Sequence, residues 1–565
     1  MSSTVAELLI DALDQIGVRQ IFGVVGDALN PLVDAIRRHE RMEWIGVRHE
    51  EGAALAAAGQ AKLTGRLGVC CGTTGPGGTH LVAGLYEARK DHAPVLAISG
   101  GVPTKLRGTD THQENTPDLL FRDVSVYTQV IGSAEQAPGV IHQAIAEAYG
   151  ARGVAHINIP PDVFDAKAPK AVPSIATLRP RPEVAPVEAD VGAALSIIEK
   201  ARSIAVLCGA GCRGAEAELI ELSDRLRAPL VHSYRAKELL PYQDPRWIGG
   251  VGLIGGKPGV DAVADADLLL MLGTDYPYAE YLPSHGNVVQ VDERAPALGR
   301  RTEVALGIVG SVRPFLASLL DRLEQRRDDS FFEEVSKKRA AWDDMLDEKA
   351  DAGRSSDKIH PQAVARLISD HVAEDCVIVT DTGEVTLWAA NWLRQSGRQR
   401  ITGSFNNAAV GTGMGIANGA QALDRSRQVV LQVGDGGFTM LIGEFMTAVE
   451  HRLPVKVVVY DNGGWGLVHM EMEGAGLPAA AGASFPNMDF AAFARGCGAQ
   501  GFTVRDPMEL EGAVKDFLAA PGPAVLHTFV DPEELPAMPH VELDQVWKFG
   551  IAKAREKLLA IGGKR

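Results

Sequence analysis

Val429–Val433 runs into Gly434-Asp435-Gly436-Gly437, and Val455–Tyr460 runs into Asp461-Asn462-Gly463-Gly464. Each half is a short apolar run without polar alternation, as in a strand covered on both faces, and each ends in a glycine-rich turn. After the first turn a helical stretch is expected from about Leu441. Asn462 lies 27 positions beyond Asp435, room for one helix and one strand. The two strands are therefore expected to be parallel, with Asp435 and Asn462 at their carboxyl ends, where open α/β sheets bind ligands. Glycines there let backbone N–H groups approach phosphate oxygens. An Asp, an Asn and backbone carbonyls, with diphosphate oxygens, make an all-oxygen site suited to Mg²⁺ or Ca²⁺. A lone Gly-Asp-Gly is more often merely a tight turn; the second segment at this interval argues for a site.

The same alternation extends in both directions. Candidate strands are Gln20–Val25, Trp44–Val47, Leu67–Cys71, Val95–Ser99, His156–Ile159, Ile204–Cys208, Leu268–Leu272, Val288–Val291, Val377–Thr380 and Ala524–Phe529. Helical stretches such as Val5–Ile16, Glu51–Leu63, Ala215–Leu226 and Ile442–His451 lie between them. The class is α/β, with parallel sheets. The proline-rich run Ala166–Ala189 reads as an extended linker, and the charge-dense run Arg322–Asp357 as a second seam. The expected units are residues 1–180, 181–350 and 351–535, with a tail over 536–565. The 565 residues suit such a division at roughly 150 residues per domain. A net charge of −16 argues against nucleic-acid binding, which draws on Lys and Arg. No apolar run is long enough to cross a bilayer, and Met1–Glu7 lacks a signal-peptide pattern, so cytoplasm is the expectation. The six cysteines form neither a disulfide framework nor a zinc knuckle.

Gly-Asp-Gly followed at this interval by an Asn pair resembles the signature of thiamine-diphosphate enzymes. Here Asp461 stands at the first position of the pair, and the second, Asn462, is intact. The resemblance implies a metal held by Asp435, Asn462 and the Gly464 carbonyl, with diphosphate contacts from Gly436, Gly437, Thr382, Gly383, Trp465 and Gly466. That chemistry also needs a carboxylate beside the pyrimidine, in a water-poor place. Arg48-His49-Glu50-Glu51 ends a strand and precedes a small-residue helix, and by resemblance Glu50 is that carboxylate. Taken alone, Glu50 is also what a helix N-terminus attracts. Gly72–His80 resembles the loop that closes over the pyrimidine, with Gly75 and His80 as cofactor contacts, and the resemblance implies a further cofactor contact at Gly26. Ser404–Gly415 resembles the segment that bends the cofactor, with Asn406, the Ala408 carbonyl and a Val410 wedge. In such enzymes the two half-sites come from different subunits, so a dimer or tetramer is expected.

The middle third carries Gly209-Ala210-Gly211 after a strand, then Gly252–Gly255, Leu272–Tyr278 and Gln290-Val291-Asp292. Such turns can cradle a pyrophosphate, and a strand-end Asp can take ribose hydroxyls; a ligand-free doubly wound domain reads similarly. With Val231–Glu238 and Met470–Met472, the whole chain resembles pyruvate oxidase and pyruvate dehydrogenase (quinone). That resemblance implies three doubly wound α/β domains and a helical tail, with FAD contacts at Arg235, Leu253, Ile254, Gly273, Thr274 and Asp292. It implies oxidative decarboxylation of pyruvate to acetate or acetyl phosphate, with FAD passing electrons to a quinone or oxygen. The alternative is a carboligase resembling acetolactate synthase. Gln113, His112, His469 and Glu471 are expected on the substrate side; His112 and His469 stand where the subgroup differs. Asp544–Arg565 reads as a basic amphipathic helix, able to pack on a subunit or on an anionic membrane surface.

Overall fold

In a computed structural model, the structure describes residues 3–537 and 539, apart from 170–172, 179, 181, 355–356, 479–481, 485 and 487. The basic helix expected over Asp544–Arg565 lies outside the described residues. Three six-stranded sheets follow one another along the chain, every pairing parallel. The first contains β1 (Gln20–Gly23), β2 (Glu43–Gly46), β3 (Gly68–Gly72), β4 (Val95–Gly100), β5 (Tyr127–Val130) and β6 (Val154–Ile159). The second contains β7 (Ile204–Cys208), β8 (Leu230–His232), β9 (Trp247–Gly250), β10 (Leu268–Leu272), β11 (Val288–Asp292) and β12 (Leu306–Val309). The third contains β13 (Val377–Thr380), β14 (Arg400–Gly403), β15 (Val429–Gly434), β16 (Lys456–Asp461), β17 (Gln500–Val504) and β18 (Ala524–Phe529).

The outer sheets repeat one topology: β2-β1-β3-β4-β6-β5 in the first and β14-β13-β15-β16-β18-β17 in the third. The middle order, β12-β11-β10-β7-β8-β9, is that of a dinucleotide-binding sheet, with its topological switch between β7 and β10. In the third sheet the switch falls between β13 and β15, which places Asp381 and Asp435 side by side at the carboxyl edge.

The strands read from the sequence are mainly the buried ones; β4, β7, β10, β11 and β16 are covered along their whole length. The six unread strands are β5, β8, β9, β12, β14 and β17. Five of them are sheet edges, covered on fewer sides and so less uniformly apolar. The seam at Arg322–Asp357 is mostly a helix, Ser330–Ala350, which buries Val335 and Leu346, turns Arg339 and Asp343 toward the neighbouring domains and most of its other charges outward. The helix expected from about Leu441 runs over Glu444–Glu450, and a separate short helix, Asp435–Met440, precedes it directly off β15.

The outer domains share a core. Helix Glu50–Thr64 is small and apolar on most sides and is buried along most of its length. It crosses helix Gly413–Leu423 so closely that a Cβ on Gly419 would collide with the Ala56 carbonyl. Domains also meet at Tyr234–Glu238: Tyr234 packs in the third domain's core, while Arg235 bonds Asp91 of the first at 3.1 Å. Glu238 holds Arg213 at 2.7 Å and Arg400 at 2.8 Å. No helix among the described residues is long and apolar enough to cross a membrane.

Candidate active site

The third sheet brings together the segments after β13, β15 and β16. Asp435 is buried; its Oδ1 accepts from Gly436 N at 2.8 Å and its Oδ2 from Gly463 N at 2.9 Å. Asn462 Nδ2 donates to Glu384 Oε2 at 2.9 Å, and Asn462 Oδ1 accepts from Gly464 N at 3.2 Å. A Cβ on Gly436 would lie 2.6 Å from the Trp465 ring, and one on Gly437 would collide with Asp381 Oδ2, so both positions admit only glycine without movement. Burial, and then the neighbouring Asp461, pushes Asp435 up to about 7 against its N–H bonds. Burial pushes Glu384 up to about 7 as well, opposed by Asn462 and reinforced by Glu473. Carboxylates crowded in this way are what a bound divalent cation relieves. Asp435, the Asn462 side-chain oxygen and the Gly464 carbonyl offer the oxygen donors that Mg²⁺ takes, so the donor set fits.

Three carboxylates here were not singled out from the sequence. Asp381 accepts from the N–H groups of Gly411, Thr412 and Gly413 at 3.0, 3.1 and 3.2 Å, capping helix Gly413–Leu423. That fixes the segment containing Ala408 (φ +54°) and the half-buried Val410. Glu384 follows Gly383 at the start of its helix. Glu444 Oε1 accepts from Arg48 N and His49 N at 3.0 and 2.9 Å, fixing the chain that leads into Glu50. For Asp381 the signal was available: an acid immediately after a strand, the feature used for Asp292. Thr382 bonds the Ser404 carbonyl, and Asn406 donates to Asp91 at 2.7 Å.

Asp461, the residue that differs from the usual Asn, is buried against His527 Nε2 at 2.7 Å. Its Oδ1 also accepts from Gly463 N at 3.1 Å. The altered residue thus has a partner of its own.

The second cluster sits at the carboxyl edge of the first sheet. Glu50 opens its helix just after β2 and is buried, with Oε2 2.9 Å from His80 Nδ1. His49 stacks on His80 with ring centroids 4.5 Å apart. Gly75 (φ +64°) abuts the Gln113 backbone, so Gly75, His80, Gln113 and Glu50 form one neighbourhood, with Gly26 against Thr73 beside it. His112 is exposed. His469 lies in the other cluster, on helix Gly466–Gly474, 3.4 Å from Ser484 Oγ, while Glu471 of the same helix faces solvent. Among the described residues, no hydrogen bond joins Glu50, Gly75, His80 or Gln113 to Asp435, Asn462 or Gly464.

A cleft of about 910 Å³ lies between the domains. It begins at the middle-sheet switch, where Gly211 N donates to the Gly273 carbonyl at 3.0 Å, and includes Thr274, Leu253, Ile254, Arg235 and Asp292. It continues to Thr382, Gly383, Asn406, Ala408 and Leu467 of the third domain. Arg152, Arg213, Arg294, Arg300 and Arg313 line it, each paired with a carboxylate: Glu293, Glu238, Asp275 and Asp292, Asp275, and Glu218 in turn. Ser311 lines it too, donating to Glu293 at 2.8 Å. Cys208 and Cys212 are buried beneath it; burial raises the Cys208 thiol far out of the reactive range.

Residues 3–120 match the N-terminal TPP-binding domain of thiamine pyrophosphate enzymes, 191–319 their central domain and 381–528 their C-terminal TPP-binding domain. A Bacillus subtilis (strain 168) protein named as thiamine pyrophosphate-containing is 34% identical over 94% of this chain and 92% of its own. The pyruvate oxidase of Lactiplantibacillus plantarum is 32% identical, covering 88% and 83%. The large subunit of acetolactate synthase isozyme 1 from Escherichia coli (strain K12) is 27% identical, covering 94% of each. The chain belongs to the thiamine pyrophosphate enzymes and binds that cofactor through its outer domains.

Proposed function

We propose that this thiamine pyrophosphate enzyme oxidatively decarboxylates pyruvate, with FAD in the interdomain cleft as the first electron acceptor. One observation carries the reading: the cleft runs unbroken from a dinucleotide-type switch point to the segment that bends the thiamine cofactor. A ligand that long, with a pyrophosphate against the arginines, matches a flavin dinucleotide better than a mononucleotide. The 32% identity to a pyruvate oxidase supports it.

In this reading Asp435, Asn462 and Gly464 hold Mg²⁺, and Gly383, Gly436, Gly437, Trp465 and Gly466 enclose the diphosphate. Ala408 offers its carbonyl, and Val410 supports the bend. Thiamine pyrophosphate, when bound, supplies a nucleophilic carbon and an electron sink for decarboxylation. Glu50, whose Oε2 lies 2.9 Å from His80 Nδ1, would relay a proton to and from the pyrimidine. Gln113, His112, His469 and Glu471 bound the substrate side. Glu50 belongs to the first domain and Asp435 to the third, and in this reading each works with its counterpart from a second copy, in a dimer or tetramer. Apolar groups exposed near the two clusters, Val25, Met440, Val468 and Leu477, suit that contact. The final acceptor is a quinone or oxygen, and the product acetate or acetyl phosphate.

Product analysis after anaerobic incubation with pyruvate and a dye tests this. Acetate with dye reduction is expected. Acetolactate without dye reduction would instead mark the carboligase reading, supported by the acetolactate synthase relative.

A further inference from the structure

A second, much smaller cavity of about 30 Å³ lies where the middle domain, helix Ser330–Ala350 and the third domain meet. That is room for one or two water-sized particles. Lys237, Trp247, Arg339, Asp343 and Gln395 line it. Lys237 is 4% exposed and donates once, to the Ala390 carbonyl at 2.6 Å, which leaves two of its three hydrogens. Trp247 is 2% exposed and Gln395 4%; Trp247 Nε1 and Gln395 Nε2 have no hydrogen-bond partner among the described residues.

Three buried donors thus surround one small space. Asp343, the carboxylate in the lining, is already engaged by Arg339 Nε at 2.9 Å and the Tyr242 hydroxyl at 2.5 Å. The lining holds two cations, Lys237 and Arg339, against that one carboxylate. His232, also in the lining, is kept neutral by burial and stacks on Trp247 with centroids 4.9 Å apart. Arg394, also over the Tyr242 ring, adds positive field and is itself paired with Asp347. Burial, then Arg339 and Arg394, push Lys237 down to about 7, the response of an ammonium that lacks a counter-charge. Buried donors without acceptors are costly, and a single anion would satisfy all three while balancing the charge.

We propose that this cavity is a binding site for one monovalent, halide-sized anion, held by Lys237 Nζ, Trp247 Nε1 and Gln395 Nε2. The anion would join the middle domain to the third, at a point separate from the cofactor cleft.

Bromide is the probe. Crystals of the full chain soaked in sodium bromide should show an anomalous peak in this cavity, and Lys237→Met should abolish it. Trp247→Phe, which removes the donor and keeps the ring, should lower the occupancy, so the test survives if the lysine variant fails to fold. In solution, chloride should raise the unfolding midpoint over sodium gluconate at equal ionic strength by roughly 1–2 °C in the wild type and not in Trp247→Phe. Non-anomalous water density at saturating bromide would overturn the proposal. So would bromide retained unchanged in Lys237→Met, or equal midpoints in chloride and gluconate.

Discussion

Glu50 and Asp461 show how much one side chain decides. Glu50 is buried against His80, so Glu50→Gln keeps the shape and removes the proton carrier. Turnover should fall by roughly 10²–10⁴-fold with an unchanged unfolding midpoint, checked by steady-state rates and thermal melts. Asp461 depends on His527. His527→Ala leaves a buried carboxylate without that partner and should cost about 1–3 kcal/mol, measured by urea unfolding. Asp461→Asn in the same background should recover part of that loss. Asp381 predicts a pH dependence. Burial raises its folded value from 3.8 to about 6. Its stabilising contribution is therefore complete below about 3.8 and is lost as pH rises through about 6. Relative to Asp381→Asn, the wild type should lose stability across that window; parallel urea midpoints for the two proteins would contradict this.

At the level of elements, the interior strands and the turn at Gly434–Gly437 were legible because burial on both faces leaves an unbroken apolar run. Edge strands such as β17, with Gln500-Gly501-Phe502-Thr503, carry no such mark, since one side lacks a partner strand. Helix Ser330–Ala350 read as a charged seam because only a narrow stripe of it is covered. In the site, Asp435, Asn462 and Glu50 were legible through spacing and resemblance. Glu444 and Asp91 were not, because their partners lie hundreds of positions away in sequence, at Arg48 and Asn406. The crossing of helices Glu50–Thr64 and Gly413–Leu423 is equally invisible locally. Gly419→Ala places a methyl against the Ala56 carbonyl, and backbone cannot yield as a flexible side chain can. Overpacking there should cost about 1–3 kcal/mol by urea unfolding and slow turnover through the displaced Glu50.

For the whole molecule, the outer sheets repeat one topology and the middle sheet has another. Arg235 stands where they meet, reaching from the cleft to Asp91, which also holds Lys62 at 2.7 Å and Asn406. Arg235→Ala should weaken flavin retention by roughly tenfold or more, read from the flavin bound after dialysis, because it removes a charged partner at the domain junction. In the proposed function the cleft carries a flavin that takes up electrons from pyruvate. The most direct test is the visible spectrum of the purified protein, followed anaerobically on addition of pyruvate with thiamine diphosphate and Mg²⁺. A flavin band that bleaches in step with acetate formation is the expected result. No flavin band, or a band that persists while pyruvate is consumed, would contradict it.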